Sequence, residues 1–162
     1  MKYLFLAATL LAAGCGPLAA LGETAVSGEW VTADGEALLS LDANDGALTV
    51  ELLSVASALS ASDETPRHLD RNNPNTVLRD RPLAGLVLGS LSGAGNDGRW
   101  RGRLYDPSRG KAYRVEVRLI AANVLRVRAY VGVKALGRTM LWVRRAHFEA
   151  RLNDLLSHGA EE

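Results

Sequence analysis

Hydrophobic and polar residues alternate with a period of two through most of the chain beyond residue 28. In segment 112–120, for example, Arg114, Glu116 and Arg118 alternate with Val115 and Val117. This pattern is typical of strands with one buried side and one side facing solvent. It predicts eight strands, at 29–33, 37–42, 47–55, 84–91, 99–105, 112–120, 124–131 and 139–144.

Short turn sequences separate most of these strands. Ala33-Asp34-Gly35, Asn44-Asp45-Gly46, Asp106 to Gly110 and Ala121-Ala122-Asn123 supply residues that tolerate positive φ or preset a turn. An antiparallel meander with an apolar stripe must bury that stripe, and closing the sheet does so while removing both edges. We therefore predict an all-β, eight-stranded antiparallel up-and-down barrel. A barrel of this size is either filled by its own side chains or holds one small ligand.

The hydrophobic period changes after the last strand. Phe148, Leu152, Leu155 and Leu156 fall at i, i+4, i+7 and i+8, which predicts a short C-terminal helix within segment 145–162. We expect this helix to pack against the barrel wall. Binding to a partner or lying on a membrane is the alternative, although its acidic residues disfavour an anionic membrane.

The first residues predict export. Lys2 is followed by an apolar run from Tyr3 to Ala13 that is too short to span a membrane, and then by Cys15. One hypothesis is a lipoprotein signal over 1–14, with an acylated Cys15, a linker over 15–26 and a barrel over 27–144. The other is an ordinary signal peptide over 1–22. Either places the protein in the bacterial envelope on the periplasmic side. A cysteine at the one position that acylation requires favours a lipoprotein over a soluble periplasmic protein, and Gly16, instead of Asp, after it favours the outer membrane.

Charge is distributed unevenly. Residues 1–66 hold nine of the eighteen acidic groups and one basic residue, whereas residues 99–145 hold thirteen Arg or Lys and two acids. These arginines either line the solvated face of the sheet or meet an anionic surface such as phospholipid or lipopolysaccharide. Nucleic acid is excluded as a partner because the compartment is wrong and no aromatic side chains interleave with the arginines.

Catalytic chemistry has little support. His68, His147 and His158 lack metal-ligand spacing, so we predict no metal and no cofactor. The glycine-rich run 93–98 matches a dinucleotide fingerprint only in letters, because a strand follows it. We predict no catalytic residue and no enzyme. A perturbed carboxylate inside the barrel, such as Glu51 or Glu116, would change that view.

Six residues are predicted to face the barrel interior: Trp100, Tyr113, Val115, Val117, Leu125 and Val127. They form either a plain core or a pocket for a small apolar or amphipathic molecule. The long connection 56–82, rich in Asn, Pro and Arg, is either a lid or rim at one barrel mouth or a disordered insertion.

A series of motifs resembles a family of secreted bacterial proteins known as a domain of unknown function. The motifs are Gly28-Glu29-Trp30, Asn72-Asn73-Pro74-Asn75, Leu78 to Leu86, Trp100-Arg101-Gly102, Tyr105-Asp106-Pro107, Gly110 to Tyr113, Leu125 to Arg128 and Leu136 to Trp142. The resemblance covers roughly residues 26 to 144.

This resemblance implies a lipocalin-like (calycin) barrel with no agreed activity. Gly28-Glu29-Trp30 is similar to the Gly-x-Trp that opens lipocalins, in which an arginine near the end of the last strand covers the tryptophan ring; Arg138 and Arg144 are the candidates. We expect a non-enzymatic envelope protein that binds a small hydrophobic or amphipathic ligand such as a lipid while tethered through Cys15. The alternative is an interaction module with a filled core that engages an anionic envelope component through its arginine-rich strand face.

Overall fold

The computed structural model describes residues 25–56, 68–93 and 97–158. Eight strands form a closed barrel in which each strand pairs with its sequence neighbours and β1 also pairs with β8. All pairs are antiparallel, so the predicted up-and-down barrel is confirmed. The strands are β1 (Gly28–Thr32), β2 (Ala37–Asn44), β3 (Ala47–Val55), β4 (Leu86–Ser92), β5 (Arg99–Asp106), β6 (Lys111–Ala121), β7 (Val124–Tyr130) and β8 (Arg138–Arg144).

The core lies inside the barrel and is built from the apolar half of the alternation. Leu39 and Leu41 on β2, for instance, are buried, whereas Asp42 next to Leu41 is exposed. Three tryptophans and an aliphatic set from all eight strands form one buried cluster. Removing such side chains from water is the main favourable contribution to folding.

Strands β4 and β5 approach each other closely through two glycines. A side chain on Gly89 would overlap the carbonyl oxygen of Arg103, and one on Gly102 would lie 2.8 Å from the carbonyl oxygen of Ser90. Glycine is therefore required on both strands at this seam.

Alternating strand directions give the barrel two different ends. The connections β1–β2, β3–β4, β5–β6 and β7–β8 lie at one end, which we call the open end. The residues that precede β1 and the remaining connections lie at the opposite, closed end.

The predicted C-terminal helix α1 (Arg145–His158) is present, and it packs against the barrel wall through its first turns only. It contacts β1 and β8, and Phe148 lies over the β1–β2 turn near Gly35. Leu152, Leu155 and Leu156 are 47%, 66% and 65% exposed. The first turn is held by Arg145, which pairs with Glu29 and Glu149, while the leucines of the later turns have no barrel surface against them.

The signal segment 1–14 with the alternative 1–22, the acylation candidate Cys15 and most of the linker lie outside the described residues, as does the first part of the 56–82 connection. Within the described ranges, no helix is long and apolar enough to cross a membrane.

Candidate functional site

The closed end is sealed by Trp30 and Arg144. The indole of Trp30 is fully buried and donates to the carbonyl oxygen of Val26 at 2.9 Å. The guanidinium of Arg144 lies 4.4 Å from the centre of the Trp30 ring and donates to the carbonyl oxygens of Ala25, at 2.6 Å, and Ser27, at 3.2 Å. Of the two arginines named from the sequence, Arg144 therefore covers Trp30, whereas Arg138 lies at the other end of β8, which is the open end.

Five of the six residues proposed to line a pocket form the deep core. Trp100, Val115, Val117, Leu125 and Val127 are each 3% exposed or less. A side chain that lines a cavity large enough for a ligand keeps accessible surface, so no such cavity lies against these five. Among the described residues, this half of the barrel is filled by its own side chains.

The inward positions nearest the open end are different. Tyr113, the sixth predicted pocket residue, is only partly buried. It shares this property with Ala37, Val55, Ala129 and Met140, which pack on top of the core cluster from four other strands. Two are alanines and one is a flexible methionine, so the inner wall here is lined by small or adaptable side chains. We call these five residues the open-end cup.

Sequence reasoning missed four of the five cup residues. The period of two gave the side of the sheet on which each residue lies but not its depth along the barrel axis. A usable signal was a small residue at the strand terminus that lies at the open end, as at Ala37 and Ala129.

One side of the open end is formed by the hairpin segment, residues 68–85. Its two arms meet at a bridge between Leu69 and Pro82, with the Leu83 amide donating to the His68 carbonyl oxygen at 2.7 Å. It contains a 3₁₀ turn at Thr76–Leu78, which the Asn75 side chain caps. The described part of the long connection is thus an ordered rim element.

A buried carboxylate fastens the hairpin segment to the barrel. Asp70 has no exposed surface and accepts hydrogen bonds from the Tyr105 hydroxyl at 2.7 Å and the Asn73 amide at 2.7 Å. Arg81 adds two more, from Nε at 2.9 Å and from Nη2 at 2.8 Å. Because Tyr105 alternates with the inward Leu104, the segment is held against the outer wall of β5.

The same contacts set two pKa values. Burial opposes ionisation of Asp70, but the hydrogen bonds from Asn73, Tyr105 and Arg81 outweigh it, so the pKa of the carboxyl lies below its usual value. Burial and the bond to ionised Asp70 raise the pKa of Tyr105 to about 12. Both oxygens of Asp70 are hydrogen-bonded, so this network holds the hairpin segment firmly on β5.

A second contact joins the hairpin segment to the β5–β6 turn. The Asn72 side-chain amide donates to the carbonyl oxygens of Ser108, at 2.9 Å, and Pro107, at 3.3 Å. Gly110 passes so close that a side chain there would overlap the Asn72 carbonyl group. Several motif residues of the resemblance thus fix this rim.

The outer wall of β5 to β7 contains a second buried carboxylate. Glu116 is 6% exposed and lies under Lys134, at 2.5 Å, Arg101, at 3.4 Å, and Arg99, at 3.9 Å. The Lys134 hydrogen bond prevails over burial and, with the two arginine charges, lowers the pKa of Glu116. Glu116 was named from the sequence as a carboxylate whose position inside the barrel would favour an enzyme; it lies on the outer wall, because it alternates with the inward Val115 and Val117. Glu51 likewise alternates with the inward Val50 and Leu52.

Other arginines on this wall lack a carboxylate. Arg118 lies directly opposite Arg99 on one side and Arg126 on the other, and Arg103 lies opposite Arg114. In the described part of the chain, Arg103, Arg114, Arg118 and Arg126 have no hydrogen-bond or ion-pair partner, and each is exposed. Like charges directly opposite each other across a ladder are destabilising.

Residues 25–56, 68–93 and 97–158 contain no group of three His, Cys, Asp or Glu side chains placed to hold a metal ion.

Comparisons with known proteins agree with this architecture. The chain resembles the solved structure of protein HP1028 from Helicobacter pylori, which is described as belonging to the lipocalin family; the TM-score is 0.61, the identity is 22%, and the match covers 78% of this chain and 86% of that one. The comparison with curated proteins gave no match.

At that identity the likeness establishes the fold, a lipocalin-like barrel. The family model described as "Uncharacterized protein conserved in bacteria (DUF2147)" matches residues 28–144, from the first residue of β1 to the last residue of β8. The chain therefore belongs to the DUF2147 family of bacterial proteins.

Proposed function

We propose that this protein is a non-enzymatic binding protein that takes a small hydrophobic or amphipathic ligand into the open-end cup. The observation that carries the proposal is the contrast along the barrel axis. Inward side chains are fully buried in the deep core but remain partly exposed at Ala37, Val55, Tyr113, Ala129 and Met140. An apolar surface with few polar groups, placed in a barrel mouth, is where small ligands commonly bind.

The shape of the cup limits the ligand. Because the deep core is filled, an apolar chain or ring enters only the upper part of the barrel, and its polar end stays near solvent. Tyr113 provides the one hydroxyl among the five cup residues. An amphipathic molecule with a short apolar part fits this arrangement better than a long, wholly apolar one.

The place of action follows from the N-terminal sequence. Lys2, the apolar run and Cys15 support an envelope protein whose acylated cysteine tethers the barrel to the outer membrane, with a soluble periplasmic protein as the alternative. Acyl chains contribute about 0.8 kcal/mol for each methylene group that enters the bilayer, so more than one chain gives stable anchoring.

A second candidate function is supported by the outer wall. There the protein acts as an interaction module and engages an anionic envelope component through its arginines. The exposed arginines that lie opposite one another on β5, β6 and β7 and have no partner among the described residues favour it, because an anion between them would relieve their repulsion.

The experiment that tests cup binding is extraction of the protein purified from its native envelope, followed by mass spectrometry for a stoichiometric small molecule. Ala129→Trp fills the cup and should abolish the co-purifying molecule. Ala112→Trp makes the same change at an exposed, outward position next to Tyr113 and should leave it in place. Absence of any such molecule from the unmodified protein, or its loss from both variants alike, would refute cup binding.

A further inference from the structure

The loop between β7 and β8 exposes three aliphatic side chains within six residues. Val131 is 72% exposed, Val133 60% and Leu136 84%. Single exposed apolar residues are ordinary on protein surfaces, but a cluster on one loop marks an interaction site. We call these three residues the apolar tip.

The apolar tip stands on a loop that polar contacts hold in place. The guanidinium of Arg128 donates to the Lys134 carbonyl oxygen at 3.0 and 2.9 Å and to the Ala135 carbonyl oxygen at 2.9 Å. The Lys134 ammonium reaches across to the buried Glu116 at 2.5 Å. The exposed side chains are therefore displayed by a preorganised loop, which lowers the entropic cost of binding.

Two unpartnered arginines lie beside the apolar tip. Arg103 and Arg114 are directly opposite each other on the outer faces of β5 and β6, and Tyr130, which precedes the tip, continues the same row on β7. All three positions are near the open-end termini of their strands. The loop itself contains no acidic residue, and its Lys134 is paired with Glu116. The patch thus combines an apolar tip with two exposed arginines beside it.

We propose that the apolar tip and the Arg103–Arg114 pair together dock the barrel on a bilayer surface that contains anionic phospholipid. Guanidinium groups match phosphate geometry, and exposed Val and Leu side chains can enter the headgroup boundary. A protein partner is disfavoured because the three tip residues include none of the Trp or Tyr anchors typical of protein hot spots.

This inference rests in part on the second candidate function, because it gives the arginine wall a specific partner. It also adds an orientation: the tip is at the open end, so docking would bring the cup close to the lipid surface. An amphipathic ligand could then pass between bilayer and cup without a long path through water.

A fluorescent label tests insertion of the tip. Cys15 is the only cysteine, so the chain with Cys15→Ser and Val133→Cys accepts an environment-sensitive fluorophore at the tip alone. Adding phosphatidylcholine vesicles that contain phosphatidylglycerol should shift the emission to the blue, and vesicles of phosphatidylcholine alone should not. The label at Ser92→Cys, an exposed site at the closed end, should not shift with either vesicle.

Matched arginine variants test the cationic part. Arg103→Gln with Arg114→Gln should weaken vesicle binding by about fivefold for each charge removed, roughly thirtyfold together. Arg118→Gln with Arg126→Gln removes the same charge from the same wall farther from the tip, and it should weaken vesicle binding much less. Residues before Ala25 are the same in both arginine variants, so any affinity of that segment for vesicles contributes equally to the two measurements.

The outcomes separate the two proposals. A blue shift at residue 133 with selective loss in the Arg103 and Arg114 variant supports the inference. Salt-sensitive binding without a blue shift overturns insertion by the tip but leaves the second candidate function standing. Equal losses of vesicle binding in the two double-arginine variants overturn the assignment of lipid docking to this patch. If the unmodified protein binds neither kind of vesicle, lipid docking is overturned altogether.

Discussion

The two halves of the barrel are held together by different forces. At the closed end, three tryptophans and an aliphatic set fill the interior, and Arg144 seals it over Trp30. At the open end, the inner side chains are partly exposed, while the surrounding loops are fixed from outside by the carboxylates Asp70 and Glu116. Stability is thus concentrated in apolar packing at one end, which leaves the other end free to carry a site.

The largest expected effect comes from the deep core. Trp100→Ala should lower the free energy of unfolding by about 3–5 kcal/mol, because it leaves a large cavity in a filled region. Urea denaturation followed by circular dichroism measures this loss. The control Ile120→Ala, at a half-exposed position, should cost much less. A similar small cost for Trp100→Ala would contradict the filled core.

Breaking the buried polar network should have the next largest effect. Asp70→Asn leaves Arg81 without its counter-charge and removes strong hydrogen-bond acceptors. We therefore expect the free energy of unfolding to fall by about 2–4 kcal/mol. Hydrogen exchange should speed up first at the hairpin segment amides of Asp70 and Leu83 and hardly at β6 and β7. Asp80→Asn, which breaks only the exposed pair with Arg71, should be close to neutral. Uniform acceleration of hydrogen exchange across the barrel would show that the two halves do not open independently.

The raised pKa of Tyr105 makes the open end sensitive to alkali. The unfolded chain releases this proton near pH 10 and the folded chain near 12, so stability from this group is complete below pH 10 and is lost as pH rises from 10 to 12. The loss is about 3 kcal/mol. Denaturation across that window should show it in the unmodified chain and not in Tyr105→Phe. Identical profiles for the two would contradict the assignment.

The contact between Arg144 and Trp30 at the closed end should have a smaller effect on the free energy of unfolding. Arg144→Met removes the contact with the Trp30 ring and two hydrogen bonds and should cost about 1–2 kcal/mol. Arg138→Met removes the other candidate arginine from the exposed end of the same strand and should cost less than about 0.5 kcal/mol. Thermal unfolding of both variants provides the comparison; a larger shift for Arg138→Met would reverse the assignment.

The strands could be predicted from sequence because the alternation and the turn residues are local signals. Each predicted strand agrees with the observed one to within two residues at either end, and the chain order of an antiparallel meander leaves few topologies. The helix was also visible in the period of Phe148, Leu152 and Leu155. The extent of its packing was not, because an apolar stripe does not tell whether a surface lies opposite it.

The candidate site was less accessible to sequence reasoning. Residues on the inner face of β6 and β7 look alike in the pattern, yet Val117 lies in the filled core and Tyr113 at the open end. The bond between Asp70 and Tyr105 joins residues 35 positions apart, and no periodicity predicts it. Glu116 lies on the outer face, as the alternation required, and only the folded loop that carries Lys134 shows why it is buried.

The central claim is that ligand enters the open-end cup and not the deep core, and Met140 offers a direct test because Met1 is the only other methionine. Methyl NMR of the protein titrated with dodecanoate, an amphipathic probe, compares Met140 with Val117 and Leu125. We predict a saturable shift of the Met140 methyl signal with the two deep signals unchanged. Equal shifts at Val117 and Leu125, or no saturable shift at Met140, would contradict the account.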